Sequence, residues 1–375
     1  MPASSSPPAF TFLCLNIQDL AVKFRAYGDL LDDLCMWDGC KRIRYEFLAF
    51  IETKQDEDDP PVALNGYTCW SSPRALLYSG SENKQVKSGG VAWYTSMRVT
   101  HLLTRRETPL SNVVILRADQ QLFGLDRPVF LLACYVPPFM RPDDDGQGGE
   151  WWSAFTLLCE QLAEDGYVLL CGDFNAKTAT DPDTLPPSDY ADIGIDSTIL
   201  HPLLLNPPTR VSDCSHPRNS IGVWLLALCK ASCLLLFNGR QIGSCLATST
   251  AQPTCTQGRK HSVIDYVAAS QQIFLRASHF SVDDHAFHTP HRCLSWAIMP
   301  VVVPPSLTSL RSRVQGASSR QGRVRYVWSA QAVGAIRASL ATALLIFIYG
   351  LHIVMHVSEG MLFERHPARK RCLTH

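Results

Sequence analysis

The sequence predicts an α/β fold built as a layered sandwich of mixed sheets. Short apolar runs of strand length recur along most of the chain, as in FTFLCLNI (10–17), YEFLAFIET (45–53), VFLLACYVPP (129–138) and YVLLCGDFN (167–175). Longer stretches carry apolar positions at helical spacing, notably WWSAFTLLCEQLAEDG (151–166) and NSIGVWLLALCKASC (219–233). Several strand-like runs follow one another with no helix between them, which a purely parallel doubly wound sheet does not allow and a mixed sheet does.

Taken in order, residues 1–9 are a Ser/Pro arm read as disordered. FTFLCLNI is a buried strand ending in a polar residue, and DLAVKFRAYGDLLDDLCMWDGC (19–40) has helical spacing. YEFLAFIET is a second strand, followed by the acidic loop KQDEDDPP (54–61). VKSGGVAWYT (86–95), VVILRA (113–118) and VFLLACYVPP read as successive strands, and RPDDDGQGGE (141–150) as a loop. A helix over 151–166 leads into the strand YVLLCGDFN, and residues 177–210, rich in Pro, Asp and Thr, read as a long surface loop. The helix candidate at 219–233 is followed by the strands LLLFNGR (234–240) and HSVIDYVAAS (261–270). This places one domain over 10–300, a Ser/Gly/Arg-rich linker over 301–325 and a helical tail over 326–375. Within the tail, 338–358 holds no Asp, Glu, Lys or Arg and matches the ~20 residues that span a bilayer, so membrane insertion is one expectation for it.

Composition narrows the function. Equal numbers of acidic and basic residues, 34 of each, exclude a protein that coats nucleic acid by net charge alone. Any polyanion must be held by a local basic surface and a bound cation. Fourteen cysteines are scattered through apolar runs with no CxxC pair, which argues against zinc ribbons and thioredoxin-like sites and for reduced thiols in an intracellular protein. The N-terminus MPASSSPPAF lacks the basic and apolar regions of a signal peptide.

The candidate chemistry lies in the polar residues that close the apolar runs: Asn16, Glu52, Tyr135, Asp173 with Asn175, Asp265, and Asp284 with His285. In layered α/β folds, loops beyond strand ends converge on one point. Asp173 and Asn175 stand two apart, so on an extended segment both project to one face. A carboxylate there can orient and deprotonate water, and a nearby amide can hydrogen-bond a transition state. Glu52 offers hard oxygen ligands to a cation. Asp265, inside an apolar strand, needs a buried partner, and a histidine would supply one while being held oriented and protonated.

The blocks LCLNI, AFIET, SGGVAWY, LLACYVPP, LLCGDFNAKT, SDCSHPRNSIGVWLLALCKASCLLLFNGR, HSVIDYVAAS and VDDHAFH run in one order from about Phe10 to about Met299. In that order they resemble the endonuclease domain of LINE-type non-LTR retrotransposons, within the endonuclease/exonuclease/phosphatase superfamily. The resemblance implies a four-layered α/β sandwich, with two mixed β-sheets packed face to face and helices outside. It also implies DNA as partner, Mg2+ as cofactor with Mn2+ as the alternative ion, and no small-molecule cofactor. Residue by residue, it implies that Asn16, Glu52 and Asp284 hold the metal. Asp173 and Asn175 handle the nucleophilic water and transition state, Tyr135 and His285 contact the phosphate, and Asp265 partners His285. Thr254, Ser262 and Ile264 fall where such domains contact DNA. The chain departs from the pattern in having Asp283 where serine usually precedes the final Asp-His, and IQDL (17–20) where a glycine is common. A full element would continue into a reverse transcriptase that is missing here, so a truncated copy is expected. The activity expected is therefore magnesium-dependent DNA nicking, nuclear if active. The alternatives are an inactive remnant and a phosphoesterase of the same fold acting on a non-DNA substrate. Neither target preference nor oligomeric state is legible.

Overall fold

Alternation along Phe10–Asn16 (β1) sets the architecture. Phe12 and Cys14 point into one buried cluster while Leu13 and Leu15 point into another, so this strand is covered on both faces. The computed structural model describes residues 9–301 apart from 33, 39, 40, 80–83, 141–146, 187–206, 213, 215 and 244–249. The expected arm apart from Ala9, the linker apart from Val301, the helical tail and its apolar segment 338–358 therefore lie outside the described residues. Among the described residues, no helix is long and apolar enough to cross a membrane. The described residues other than Pro186 fall in one compact unit.

The first six-stranded sheet contains β1, Phe47–Ile51 (β4), Tyr67–Ser79 (β5), Lys84–Ser96 (β6), Ala277–Asp283 (β15) and Cys293–Ile298 (β16), in the order β15-β16-β1-β4-β6-β5. The second contains Leu103–Arg106 (β7), Val113–Ala118 (β8), Val129–Tyr135 (β9), Tyr167–Asp173 (β10), Leu234–Leu236 (β11) and Asp265–Ser270 (β14), in the order β11-β14-β10-β9-β8-β7. In each sheet one parallel pair, β1 with β4 or β9 with β10, sits among antiparallel neighbours, so both sheets are mixed. Two hairpins, Cys35–Asp38 (β2) with Lys41–Arg44 (β3) and Cys255–Gln257 (β12) with Lys260–Ser262 (β13), stand outside them.

The sheets pack face to face over one core. Phe12, Phe47, Trp93 and Trp296 come from the first sheet and Leu116, Leu131, Leu169 and Val267 from the second. Phe12 stacks between its cross-strand partners Phe47 (4.4 Å) and Trp296 (5.2 Å), a row of rings along the inner face of the first sheet. On the far side of the second sheet, Gln147–Asp165 (α3) and Ser220–Ala231 (α4) press Trp152, Phe155, Leu225 and Leu228 onto Val168 and Leu170. Leu20–Asp32 (α1) covers the outer face of the first sheet through Leu20 and Leu31. This is the expected four-layered sandwich. Short helices Gln120–Phe123 (α2) and Gln271–Phe274 (α5) close turns.

Local expectations change in several places: the helical spacing over 19–40 gives a helix only to Asp32, with Cys35–Asp38 forming β2, and α3 starts at Gln147, inside the stretch read as a loop. Residues 261–270 are not one strand, because the chain leaves the hairpin after Ser262 and enters β14 only at Asp265. The break is held by the Thr254 hydroxyl, which accepts hydrogen bonds from the backbone N–H groups of Ile264 and Asp265, both 3.0 Å. The long strand β5 was not foreseen, since WSSPR in its middle lacks the apolar pattern; it is an edge strand, where Pro73 is tolerated.

Candidate active site

Register brings the expected carboxylates together. Asp173, the last residue of β10, lies opposite Tyr135, the last of parallel β9, and opposite Asp265, the first of antiparallel β14. Three strand termini thus present Tyr135, Asp173 and Asp265 in one row. Asn16, at the end of β1 in the facing sheet, reaches across and donates from Nδ2 to Asp173 Oδ2 at 2.9 Å. Glu52 follows β4 directly, and β4 pairs with β1 through Asn16 opposite Ile51. It has φ 55°, a left-handed conformation that costs a side-chain-bearing residue ~1–2 kcal/mol.

Glycine at 172 is what allows the row to form. Its φ is 152°, and a Cβ there would lie 1.9 Å from the Cys134 carbonyl oxygen of β9. The turn after Asp173 is equally constrained. Asn175, at φ 49°, donates its backbone N–H to Asp173 Oδ1 (2.9 Å) and its side-chain amide to the Val136 carbonyl (2.9 Å). Asn219, which caps α4, accepts from the N–H groups of Gly222 and Lys177, both 2.8 Å, and donates to the Asn175 carbonyl at 3.0 Å. Asn219 was not singled out from sequence. Its position just before an apolar helical run was the available signal.

The histidine that meets Asp265 is His291, not His285. His291 Nδ1 donates to Asp265 Oδ2 at 3.0 Å and Oδ1 at 3.2 Å, and its Nε2 lies 4.0 Å from Asp173 Oδ2. Asp173, Asp265 and His291 are 2%, 3% and 6% exposed, so the trio is shielded from bulk solvent. Burial opposes the imidazole charge, but the Asp265 carboxylate, the Cys255 side chain and Asp173 together push the His291 pKa up to about 12. Burial, reinforced by Asp265, pushes Asp173 up to about 8, against the pull of His291, the Asn175 amide and Asn16. Burial, with Glu52 and Asp173 close by, raises the Tyr135 phenol well above its usual range, and its hydroxyl interacts with the side chains of Glu52 and Ser88.

His285 has a different task. Its Nε2 donates to the His291 carbonyl while Nδ1 accepts from the Phe287 N–H, and burial lowers its pKa. A neutral ring with both nitrogens engaged shapes the loop that delivers His291. Asp284 does not join the site either: its side chain is 86% exposed and its Oδ1 accepts from Arg292 Nε at 2.8 Å. Asp283, at the end of β15, accepts from Ser295 Oγ at 2.9 Å. These two acids follow the outer strand β15 toward solvent, whereas the Thr289-Pro290-His291 turn folds back under the Asn16 carbonyl, which accepts from Thr289 Oγ1 at 3.0 Å. Two further histidines within six residues of His285, His288 and His291, were the sequence signal that the pairing was not unique.

Thr254 is fully buried and its hydroxyl is committed to the Ile264 and Asp265 amides, so it orients the Asp265 backbone rather than meeting a substrate. Ser262 and Ile264 line a cleft of about 500 Å3 beside Asn175, together with Lys177, Lys260 and His261. For a hard divalent cation the donor set fits in kind, with the Glu52 carboxylate and the Asn16 amide oxygen as oxygen ligands. Asp284 is not among them, and the residue before His291 is a proline without a donor.

A family model described as the endonuclease/exonuclease/phosphatase family matches residues 15–308. No curated protein matches the chain. Among solved structures, a 3′ phosphatase from Neisseria bound to a product DNA hairpin is similar at 17% identity and TM-score 0.48, covering 77% of this chain and 99% of that one. A 3′-5′ exonuclease from Neisseria meningitidis is similar at 17% identity and TM-score 0.47, with the same coverage. The endonuclease domain of TRAS1, a telomere-specific non-LTR retrotransposon, is similar at 14% identity and TM-score 0.44, covering 78% of this chain and 99% of that one. With two mixed sheets face to face, polar strand ends meeting at one edge, and a family match across most of its length, this chain belongs to the endonuclease/exonuclease/phosphatase family.

Proposed function

We propose that the chain is a magnesium-dependent phosphodiesterase that nicks DNA through a catalytic domain over residues 10–300, and that it derives from a LINE-type retrotransposon. The observation that carries the reading is the juxtaposition of Asp173 with an Asp265–His291 pair in a buried site edged by Tyr135, Asn16 and Glu52. A phosphodiester repels nucleophiles by its charge, so hydrolysis needs an activated water and hydrogen-bond donors aimed at the phosphoryl oxygens. In its ionised form, Asp173 accepts a proton from water, held in place by the Asn175 N–H and the Asn16 amide. His291, kept protonated by Asp265, donates to a phosphate oxygen, the role the sequence suggested for His285. Tyr135 donates a second hydrogen bond, and the Asn175 side chain edges the path of the attacking water. Glu52 and the Asn16 oxygen would hold Mg2+, which when bound supplies positive charge to offset the charge on the leaving oxygen.

DNA is favoured as substrate by the ordered blocks shared with retroelement endonucleases and by the cleft carrying Lys177, Lys260, Ser262 and Ile264 next to Asn175. Such an enzyme would act in the nucleus. The loss of Asp284 from the site leaves few carboxylates for an ion, and this favours, as the second reading, a remnant that folds without cutting. A supercoiled-plasmid assay with the full chain separates the two. Mg2+-dependent open-circle product, abolished by EDTA and by Asp173→Ala, is expected. Intact plasmid with folded wild-type protein would leave the remnant reading.

A further inference from the structure

Asn112 stands just before β8 in the second sheet and is buried. Its carbonyl accepts from the Tyr135 N–H at 3.0 Å, and its side-chain Oδ1 crosses to the first sheet to accept from the Gly90 N–H of β6 at 2.9 Å. The side chain lies so flat on β6 that a Cβ at Gly89 would come 2.2 Å from Asn112 Oδ1 and 2.7 Å from Nδ2. Its own φ is 58°, a left-handed conformation that asparagine tolerates better than most residues.

β6 in turn holds the segment that carries Glu52. The ladder between β4 and β6 ends with Ile51 opposite Val91. The next bonds run from the Thr53 N–H to the Gly90 carbonyl and from the Lys54 N–H to the Gly89 carbonyl, both 3.0 Å. Glu52 is left over between them as an extra residue, the geometry of a bulge, which can re-aim a side chain beside an active site. Glu52 and Lys54 both have φ 55°, and strain of this kind persists only where the surroundings over-determine it. The Asp19 and Leu20 N–H groups hold one side, donating to the Glu52 and Thr53 carbonyls at 2.8 and 3.1 Å, and Gly89 and Gly90 hold the other.

We infer that Asn112 is a positioning residue: through Gly90 it fixes the bulge that aims the Glu52 carboxylate, and through its carbonyl it fixes the backbone of Tyr135. The two residues it serves meet, since the Tyr135 hydroxyl interacts with the side chains of Glu52 and of Ser88, which precedes Gly89 on β6. One buried amide thus ties the two sheets together where a metal-holding carboxylate and a phosphate contact come side by side. The consequence for ion binding rests on the proposed role of Glu52 in holding Mg2+; the consequence for the bulge does not.

The test uses Asn112→Gly in the full chain, which removes the amide and leaves the left-handed backbone unstrained. The Thr53 and Lys54 amides should exchange with deuterium about tenfold faster, the scale of one hydrogen bond lost, while those of β10 stay as they are. Mn2+ binding, read by water-proton relaxation without substrate, should weaken about 10–100-fold, the span seen when a group that orients a metal ligand is lost. Asn112→Asp keeps an oxygen acceptor in the same place and should restore the protection of Thr53 and Lys54. Asn112→Ser, whose hydroxyl is too short to reach Gly90, carries the same measurements if the glycine variant does not fold. A role confined to stability would speed exchange evenly through both sheets and leave the ion affinity of the folded protein unchanged, and either result overturns the inference. So does a variant without the amide in which Thr53 and Lys54 remain as protected as in the wild type. If the wild type binds no Mn2+, the metal role of Glu52 fails while the exchange rates still decide on Asn112, so the two failures are distinguishable.

Discussion

Replacing Asp265 with asparagine removes one negative charge and keeps the side-chain shape, which makes it a direct probe of the buried pair. In the wild type, burial disfavours charge on His291, and Asp265 is the leading group that overcomes it, holding the ring up to about 12 against an ordinary 6.5. Without the carboxylate, burial is opposed only by Cys255 and Asp173, so the pKa should fall well below about 12 and the ring loses its strongest hold on the proton. Were the imidazolium to stay charged, the lost partner would cost ~3–5 kcal/mol; giving up the proton limits that loss. The sign for stability follows. The raised pKa of His291 contributes stability that is fully present below 6.5 and is lost as pH rises through about 12. In the variant the smaller shift contributes less, so the gap between the two proteins is largest below the wild-type pKa and closes as pH rises toward about 12. Nitrogen-detected NMR of the His291 ring reads the titration, urea unfolding at several pH values reads the linkage, and nicking should drop ~100-fold or more. A wild-type His291 that titrates at its ordinary 6.5, or a ring unaffected by Asp265→Asn, would refute the argument.

Three other outcomes are expected. His291→Ala should reduce nicking by ~100-fold or more, while Asp284→Ala, whose side chain is exposed and bound to Arg292, should stay within about twofold in the same plasmid assay. Arg240→Met strands Asp183, whose carboxylate is wholly buried against that guanidinium (2.6 and 2.7 Å), and should cost ~3–5 kcal/mol in urea unfolding. Adding Asp183→Leu should restore part of that loss; no recovery would mean that the pair does not act as a unit. Gly172→Ala must move the β9 backbone away from a Cβ otherwise 1.9 Å from the Cys134 oxygen, so a loss of several kcal/mol and a lower Tm are expected, and a Tm unchanged from wild type would contradict the close approach.

What the sequence determined by itself is the layered class and most of the polar set. Near-continuous apolar runs in FTFLCLN and YVLLCGD mark strands buried on both faces, and the helical spacing of WWSAFTLLCEQLAED shows what covers one of them. Asn16, Tyr135 and Asp173 were legible because a polar residue closing an apolar run marks where a strand leaves the core. Only the tertiary structure decided the register. Local pattern cannot say that Asp173 faces Asp265 across an antiparallel ladder, because that depends on which strands become neighbours. Nor can it choose among His285, His288 and His291, which lie in one loop; the bridge from Pro290–Arg292 to Thr254–Thr256 selects the last. Asp284 and His285 resembled a site in sequence, yet the outer edge of β15 carries Asp284 toward solvent. Cys255, a residue with no motif around it, reaches the centre for the same reason: side chains remote in sequence meet only where backbone pairing brings them together.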